Sequence, residues 1–540
     1  MSHGQDTVDA FDAIVVGSGI NAMVASAELA GAGWRVCLLE ANQEMGGFIA
    51  SGELTAPGFV HDTFSSWHPL FVTGGAYAEL GSDLARHGLR YRNTDEIVTG
   101  SVADDGRTTL AWRDPVRTAQ EFAAEADRDA YLKLLNTLGA DLDELGALLG
   151  SELRSVRSLL PLARMARRGR AAGVERRLRD VAASGRAKVR STFVGPEVDH
   201  LWAPWLLHAG LGPDNASGGL MLALLAGTMH AAGLPVVEGG ASRFIQAFAS
   251  LLAERRVQVR TGCPVTRVLV EDGRAAGVCI GDEQLRAGRA VLASVSPRAL
   301  YTNLLPAFAV SVEAVKEAAG YRPGRAAMQV HVSLSGPPAW RDIRLADVPL
   351  VHLTDGSSST GIACAEAEAG LLPRRPTVVV GQQHVLDPSR VPAGCAALWI
   401  QLQEVPYVPV GDAAGTIDTA GLWSPEVVTA YVDRVLRRVA RHAPGVCEQI
   451  LGQAVLTPVD LETANRNAER GDPYGGSAEL DQNLLWRPGP VTSRHRTAIP
   501  GLWHIGASTH PGPGLSGGSG HLVAQSLTAR RRGLLRSGAA

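Results

Sequence analysis

The stretch Phe11-Asp-Ala-Ile-Val-Val-Gly17-Ser18-Gly19-Ile-Asn21-Ala22, continued to Trp34-Arg-Val-Cys-Leu-Leu-Glu40, decides the fold. Phe11 to Val16 reads as a short buried strand, Gly17 to Gly19 as a turn, and Asn21 to about Ala32 as a helix. Gly33 closes that helix, and Trp34 to Leu39 forms a second strand ending at Glu40. In such a unit Gly17 permits the tight turn, Gly19 lets backbone approach a pyrophosphate, and Ala22 allows close helix–strand packing. The phosphates then face the positive end of the helix. Glu40 is placed to accept hydrogen bonds from ribose hydroxyls and to repel a 2′-phosphate. With Ser18, Asn21 and Ala41 beside them, these residues are the expected cradle for an ADP moiety.

Three more features turn the expectation from a generic dinucleotide to FAD. Gly46-Gly47 lets the chain cross close to the phosphates. The block Glu238-Gly-Gly-Ala-Ser-Arg243 precedes a helix and the strands between Val257 and Val270, a return that brings Val265 to the adenine end. Ser294 ends a further buried strand beginning at Ala290. Finally, Gly501 to Gly520 repeats the logic of the first motif: a strand ends at Gly506-Ala507, and Gly517, Gly518 and Ser519 lead into a terminal helix expected from about His521. A helix N-terminus there suits the flavin edge on which negative charge accumulates.

The 540 residues carry a net charge of −3, which excludes any global attraction to nucleic acid. Six scattered cysteines make no CxxC pair, so no metal site is expected and a reducing, cytoplasmic location is the simplest reading. The N-terminus lacks a secretory pattern and no apolar run is long enough to span a bilayer. From about residue 70 to 235 the pattern is helical. Strands return between 235 and 300, with Glu271-Asp-Gly-Arg274 as a hairpin signal. The expected division is a discontinuous FAD-binding domain (1–70, 235–300 and 498–540) with a substrate-binding domain inserted as 71–234 and 301–497.

Gly506-Ala-Ser-Thr-His-Pro-Gly-Pro-Gly514, together with the N-terminal motif, resembles the phytoene desaturase and carotenoid oxidoreductase branch of the FAD-dependent amine-oxidase-like superfamily. Leu480-Asp-Gln482, Arg487-Pro488 and Leu206-Leu-His-Ala-Gly-Leu-Gly-Pro-Asp214 resemble the subgroup of pyridine nucleotide-disulfide oxidoreductase domain-containing proteins. The resemblance implies an α/β fold, with a Rossmann-type FAD-binding domain (GR2-like) and an inserted α+β substrate domain. It also implies one bound FAD and hydride transfer from carbon to flavin N5. Phe48, after the glycine pair, and Phe64-Ser-Ser-Trp-His68 depart from the carotenoid desaturase pattern.

The expected function is therefore an FAD-dependent dehydrogenase, desaturase or oxidase acting on a C–C or C–N bond of a small, largely apolar substrate. Oxygen, a quinone or another carrier is left open as electron acceptor. The alternatives are a redox-neutral flavin-dependent isomerase and a non-catalytic FAD-fold protein that binds a lipophilic ligand. His510 and His68 are the candidate catalytic groups, and Ser66, Trp67, Trp205, His208 and Thr509 the candidate substrate pocket. The segment 151–190 carries twelve arginines and lysines against three carboxylates, which allows a peripheral membrane contact.

Overall fold

The computed structural model describes residues 10–537, apart from the side chains of residues 10, 157, 168–172 and 530–537. The outer ends of the 1–70 and 498–540 segments lie outside the described residues. The opening unit is strand Ala10–Val16, helix Ile20–Gly31 and strand Val36–Leu39. Four parallel pairings extend it into a Rossmann-type sheet. Val16 sits opposite Leu39 and Ala293, Leu39 opposite Arg260, and Ala293 opposite His504. Five strand ends thus form one row, from which the loops at Glu40, Gly17, Ser294 and Gly506 emerge. Ligands of open α/β sheets bind at this carboxyl edge.

Apolar side chains from both faces explain the layering. On one face Met23, Ala27, Phe244, Phe248, Leu251 and Val523 pack together, joining the opening helix to helices Ser242–Glu254 and Gly518–Ser537. Helix Gly75–Arg86, within the 71–234 stretch, adds Ala76, Leu80 and Leu84 to the same core. The antiparallel strands Arg267–Glu271 and Arg274–Ile280 continue the same sheet beyond Glu283–Ala293, and on its other face their Val268, Ala275 and Val278 pack with Ile14, Val291, Leu300 and Tyr301. The terminal helix begins at Gly518, three residues before the sequence-based start. It can do so because Gly520 lies against the opening helix, where a Cβ would collide with the Asn21 carbonyl.

The mixed region resolves into a second seven-stranded sheet. Its order is Ile450–Leu456, Ala326–Leu334, Ala396–Val405, Val378–Gly381, Leu350–Leu353, Ile97–Val102, Thr108–Trp112. Most neighbours are antiparallel, with one parallel pair between Leu350–Leu353 and Ile97–Val102. Leu398, Ile400 and Leu402 face the amphipathic helix Pro425–His442, which buries Tyr431, Val435 and Val439 against them. The intervening positions Trp399, Gln401 and Gln403 point to the opposite side, as strand alternation requires. Helices between Glu125 and Ala232 complete the insert. Among the described residues no helix is long and apolar enough to cross a membrane, and no disulfide forms.

Candidate cofactor and substrate site

A cavity of about 310 Å³ lies between the two sheets, and both parts of the chain line it. Gly19, Asn21, Gly46, Gly47, Ser294, Gly506 and Ala507 form one end. The local backbone explains why glycines stand there. Gly17, Gly46 and Gly506 adopt φ of +89°, +122° and +116°, in which L side chains are strained. A Cβ at Gly17 would come within 2.9 Å of the Ser294 carbonyl, whereas one at Gly19 would stand in open space. Gly19 is the N-cap of the opening helix and offers no side-chain cap, so the N–H groups of Ile20 and Asn21 are left to a ligand while Ala22 bonds back to the Gly19 carbonyl. This cradle fits the pyrophosphate of FAD.

Glu40 anchors the cradle. Its Oε2 accepts from the Ser18 N–H (2.9 Å) and hydroxyl (2.6 Å), and its Oε1 from the Asn42 N–H (2.8 Å). Ser18 Oγ in turn accepts from the Gly46 N–H at 3.1 Å, tying the second glycine turn to the first. Ala41 follows Glu40 in the same loop, and the Glu40 carbonyl accepts from the Cys263 N–H, two residues before Val265. Ala22, Gly517, Gly518 and Ser519 do not line the cavity. Ser519 Oγ contacts Thr509 Oγ1 (2.7 Å), accepts from the Gly506 N–H (3.1 Å) and meets His495 Nε2 at 3.1 Å. The Nδ1 of His495 is hydrogen-bonded to Glu152 from the helical insert, a contact that helps hold the Glu152 carboxyl below its usual range despite burial.

Arg487 is the least expected member. Among the described residues its buried guanidinium has no carboxylate partner and instead collects carbonyls. It donates to Ala507 (2.9 and 3.1 Å), Tyr474 (2.8 Å), Gly475 (3.2 Å) and Ser477 (3.2 Å). The flavin loop and the 474–477 turn are thereby locked together.

The other end of the cavity is aromatic. Phe48, Phe64, Trp67, Trp205 and Trp399 line it with Leu225 and Met229, and Ser66, His208, Gln401, Gln403 and Tyr474 add polar groups. Ser66 donates to Asp62 at 2.5 Å and accepts from Gln383 Nε2 at 3.0 Å. Asp62 is itself paired with buried Arg390 at 2.7 Å, so the turn carrying Ser66 and Trp67 is fixed from beneath. His208 meets His352 at 3.0 Å, and Gln403 Nε2 donates to Tyr474 at 2.9 Å. Burial pushes the His208 imidazole down to about 3, so it is neutral at physiological pH.

Ser66, Trp67, Trp205 and His208 come together here, whereas Thr509, His68 and His510 do not line the cavity. His68 is buried with Nδ1 against the Tyr91 hydroxyl (2.9 Å) and its ring against Phe244. His510 Nε2 turns to the Leu148 carbonyl at 3.3 Å. Desolvation lowers both imidazoles to about 4. Phe64, Trp399, Gln401, Gln403, Tyr474, Asn465 and Asn467 are cavity residues that sequence reasoning did not find. The alternation Trp399-Ile-Gln401-Leu-Gln403 was the available signal. Among the described residues no cluster could hold a metal ion.

Residues 23–517 match the family model for flavin containing amine oxidoreductases. The chain belongs to that family. It is 26% identical to pyridine nucleotide-disulfide oxidoreductase domain-containing protein 2 of Rattus norvegicus, over 96% of this chain and 94% of that one. It is 24% identical to 4,4'-diapolycopene oxygenase of a Methylomonas species, over 93% and 94%. A solved oxidoreductase from Methanosarcina mazei superposes with a TM-score of 0.62 at 15% identity, over 96% of this chain and 99% of that chain. The protein is thus an FAD-dependent oxidoreductase of this family, with FAD as its cofactor.

Proposed function

We propose that this flavoprotein dehydrogenates a small, largely apolar substrate at a C–C or C–N bond. One observation carries the reading: the cavity runs from the glycine cradle straight into a wall of Phe48, Phe64, Trp67, Trp205 and Trp399. Bound FAD supplies the hydride acceptor. The protein's own part is enclosure and orientation. The aromatic wall excludes water and holds an apolar skeleton by burial, at about 25 cal/mol per Å² of apolar surface removed from water. Gln401, Gln403 and Tyr474 orient any polar substituent.

Strong proton acceptors are scarce on the wall. His208 is a weak base when buried, and the Asp472 carboxylate is occupied by the Gly324, Tyr474 and Gly476 N–H groups. A substrate that gives up a hydride without a strong side-chain base, such as a neutral amine or an activated allylic carbon, suits such a wall.

The test is an absorption spectrum of the purified protein followed by anaerobic titration with apolar amines, cyclic alkenes and polyenes. Bleaching of the flavin band by one of these classes is expected. Substrate turnover with no net bleaching, giving an isomer, would overturn the reading.

A further inference from the structure

We propose that the start of helix Val156–Ala182 is a docking surface for an anionic lipid bilayer. The helix opens with apolar side chains turned to solvent: Val156 is 82% exposed, Leu159 61%, Leu160 56% and Leu162 49%. Leaving four such residues exposed within two turns forfeits burial that the fold supplies elsewhere, and marks an interaction surface. Among the described side chains of these turns, Ser158, Pro161 and Met165 face the protein.

The surroundings select the partner. Arg154, Arg164 and Arg167 flank the apolar wedge and are exposed, and Arg176 and Arg179 further along the chain are exposed as well. Arg164 and Arg167 enter no ion pair among the described residues. The nearby carboxylates are largely spent: Asp141 pairs with Arg177, Asp180 with Lys188, and Glu152 with His495. Among the described side chains of 141–182, Asp143 and Glu175 are the exposed carboxylates against five exposed arginines. An apolar wedge ringed by arginines complements both layers of a membrane surface, acyl chains below and anionic headgroups above. Val491 (59% exposed) extends the apolar area, since Arg154 holds the adjacent Pro490 carbonyl at 2.8 Å.

A membrane-bound position gives an apolar substrate a short route, but the proposal stands on the surface alone and is read without turnover. The experiment floats the FAD-loaded full chain with phosphatidylcholine vesicles, with and without phosphatidylglycerol. Binding to the anionic vesicles alone is expected, weakening with added salt. The R164Q/R167Q variant should bind about twenty-fivefold more weakly, at about fivefold for each basic residue near an anionic surface. The L159E/L160E variant should lose flotation while keeping the wild-type flavin spectrum and circular dichroism. Failure to float with anionic vesicles at low salt, or equal flotation of wild type and R164Q/R167Q, would overturn the proposal. So would a wild-type dimer that L159E/L160E converts to a monomer, because a second copy would then cover the face.

Discussion

Replacing Arg487 with alanine tests whether the cofactor loop is held from behind. The guanidinium supplies five hydrogen bonds to the four carbonyls of Tyr474, Gly475, Ser477 and Ala507. Each buried acceptor left unpaired costs about 1–3 kcal/mol, and water entering the vacated space recovers part of that, so about 3–5 kcal/mol of local stability is lost. The loss falls where Gly506 and Ala507 line the cavity. If about 2 kcal/mol of it appears in cofactor binding, FAD affinity drops about thirtyfold. Arg487→Lys, with three donors on a flexible stem in place of a planar fork, should fall between the two. Fluorescence titration of the deflavinated proteins with FAD measures this directly. An unchanged dissociation constant in Arg487→Ala would refute the idea that this arginine shapes the flavin loop.

Gly520→Ala should lose the cofactor and lower the melting temperature. The added methyl meets the Asn21 carbonyl, a backbone atom that cannot swing away, and overpacking of this kind costs about 1–3 kcal/mol or more; a variant with wild-type FAD content and melting point contradicts it. His495→Gln, which breaks the link from Glu152 to Ser519, should weaken FAD binding about tenfold, equivalent to about one charged hydrogen bond; an unaltered titration would exclude the relay.

Stability should fall on acidification below about pH 6.5. Burial depresses His61 and His208 to about 3, and His68, His331, His384, His504 and His510 to about 4. The unfolded chain then binds protons between pH 6.5 and 4 that the folded chain does not, so each histidine contributes up to about 1.4 kcal/mol per pH unit of destabilisation in that window. Glu404, raised to about 7 by burial, acts in the opposite sense above its ordinary range, as do Glu28, Asp199 and Asp472, which burial also raises, but these four carboxyls are outnumbered by the seven histidines. Denaturant midpoints that stay constant from neutrality to pH 5 would show that these imidazoles are not buried.

The cradle was legible because its physics is local. A tight turn, a close backbone approach and a carboxylate one strand later are all set by residues within thirty positions of one another. The second sheet was not read, for a different reason. Strand Ala326–Leu334 alternates cleanly, with Met328, Val330, Val332 and Leu334 in the core. Yet Gln329, His331 and Ser333 on its other face are equally buried, and nothing in the strand itself says that a second domain covers them. The two histidines nominated for catalysis failed to reach the cavity through orientation alone. Each lies within a residue or two of a cavity residue, but Tyr91 and Phe244 capture one ring and Leu148 the other. Position along the chain predicts proximity; which way a side chain turns depends on residues 23 to 362 positions away.

The contact between Gly520 and Asn21 has a consequence for biosynthesis. The phosphate cradle emerges first from the ribosome, but the helix that closes over it is nearly five hundred residues behind. Two inserted stretches must collapse in between, and the nascent chain holds half a binding site throughout. Flavin capture is therefore a late event, a latch that closes when the final helix lies down against the first, and the cofactor reports that the whole chain has folded.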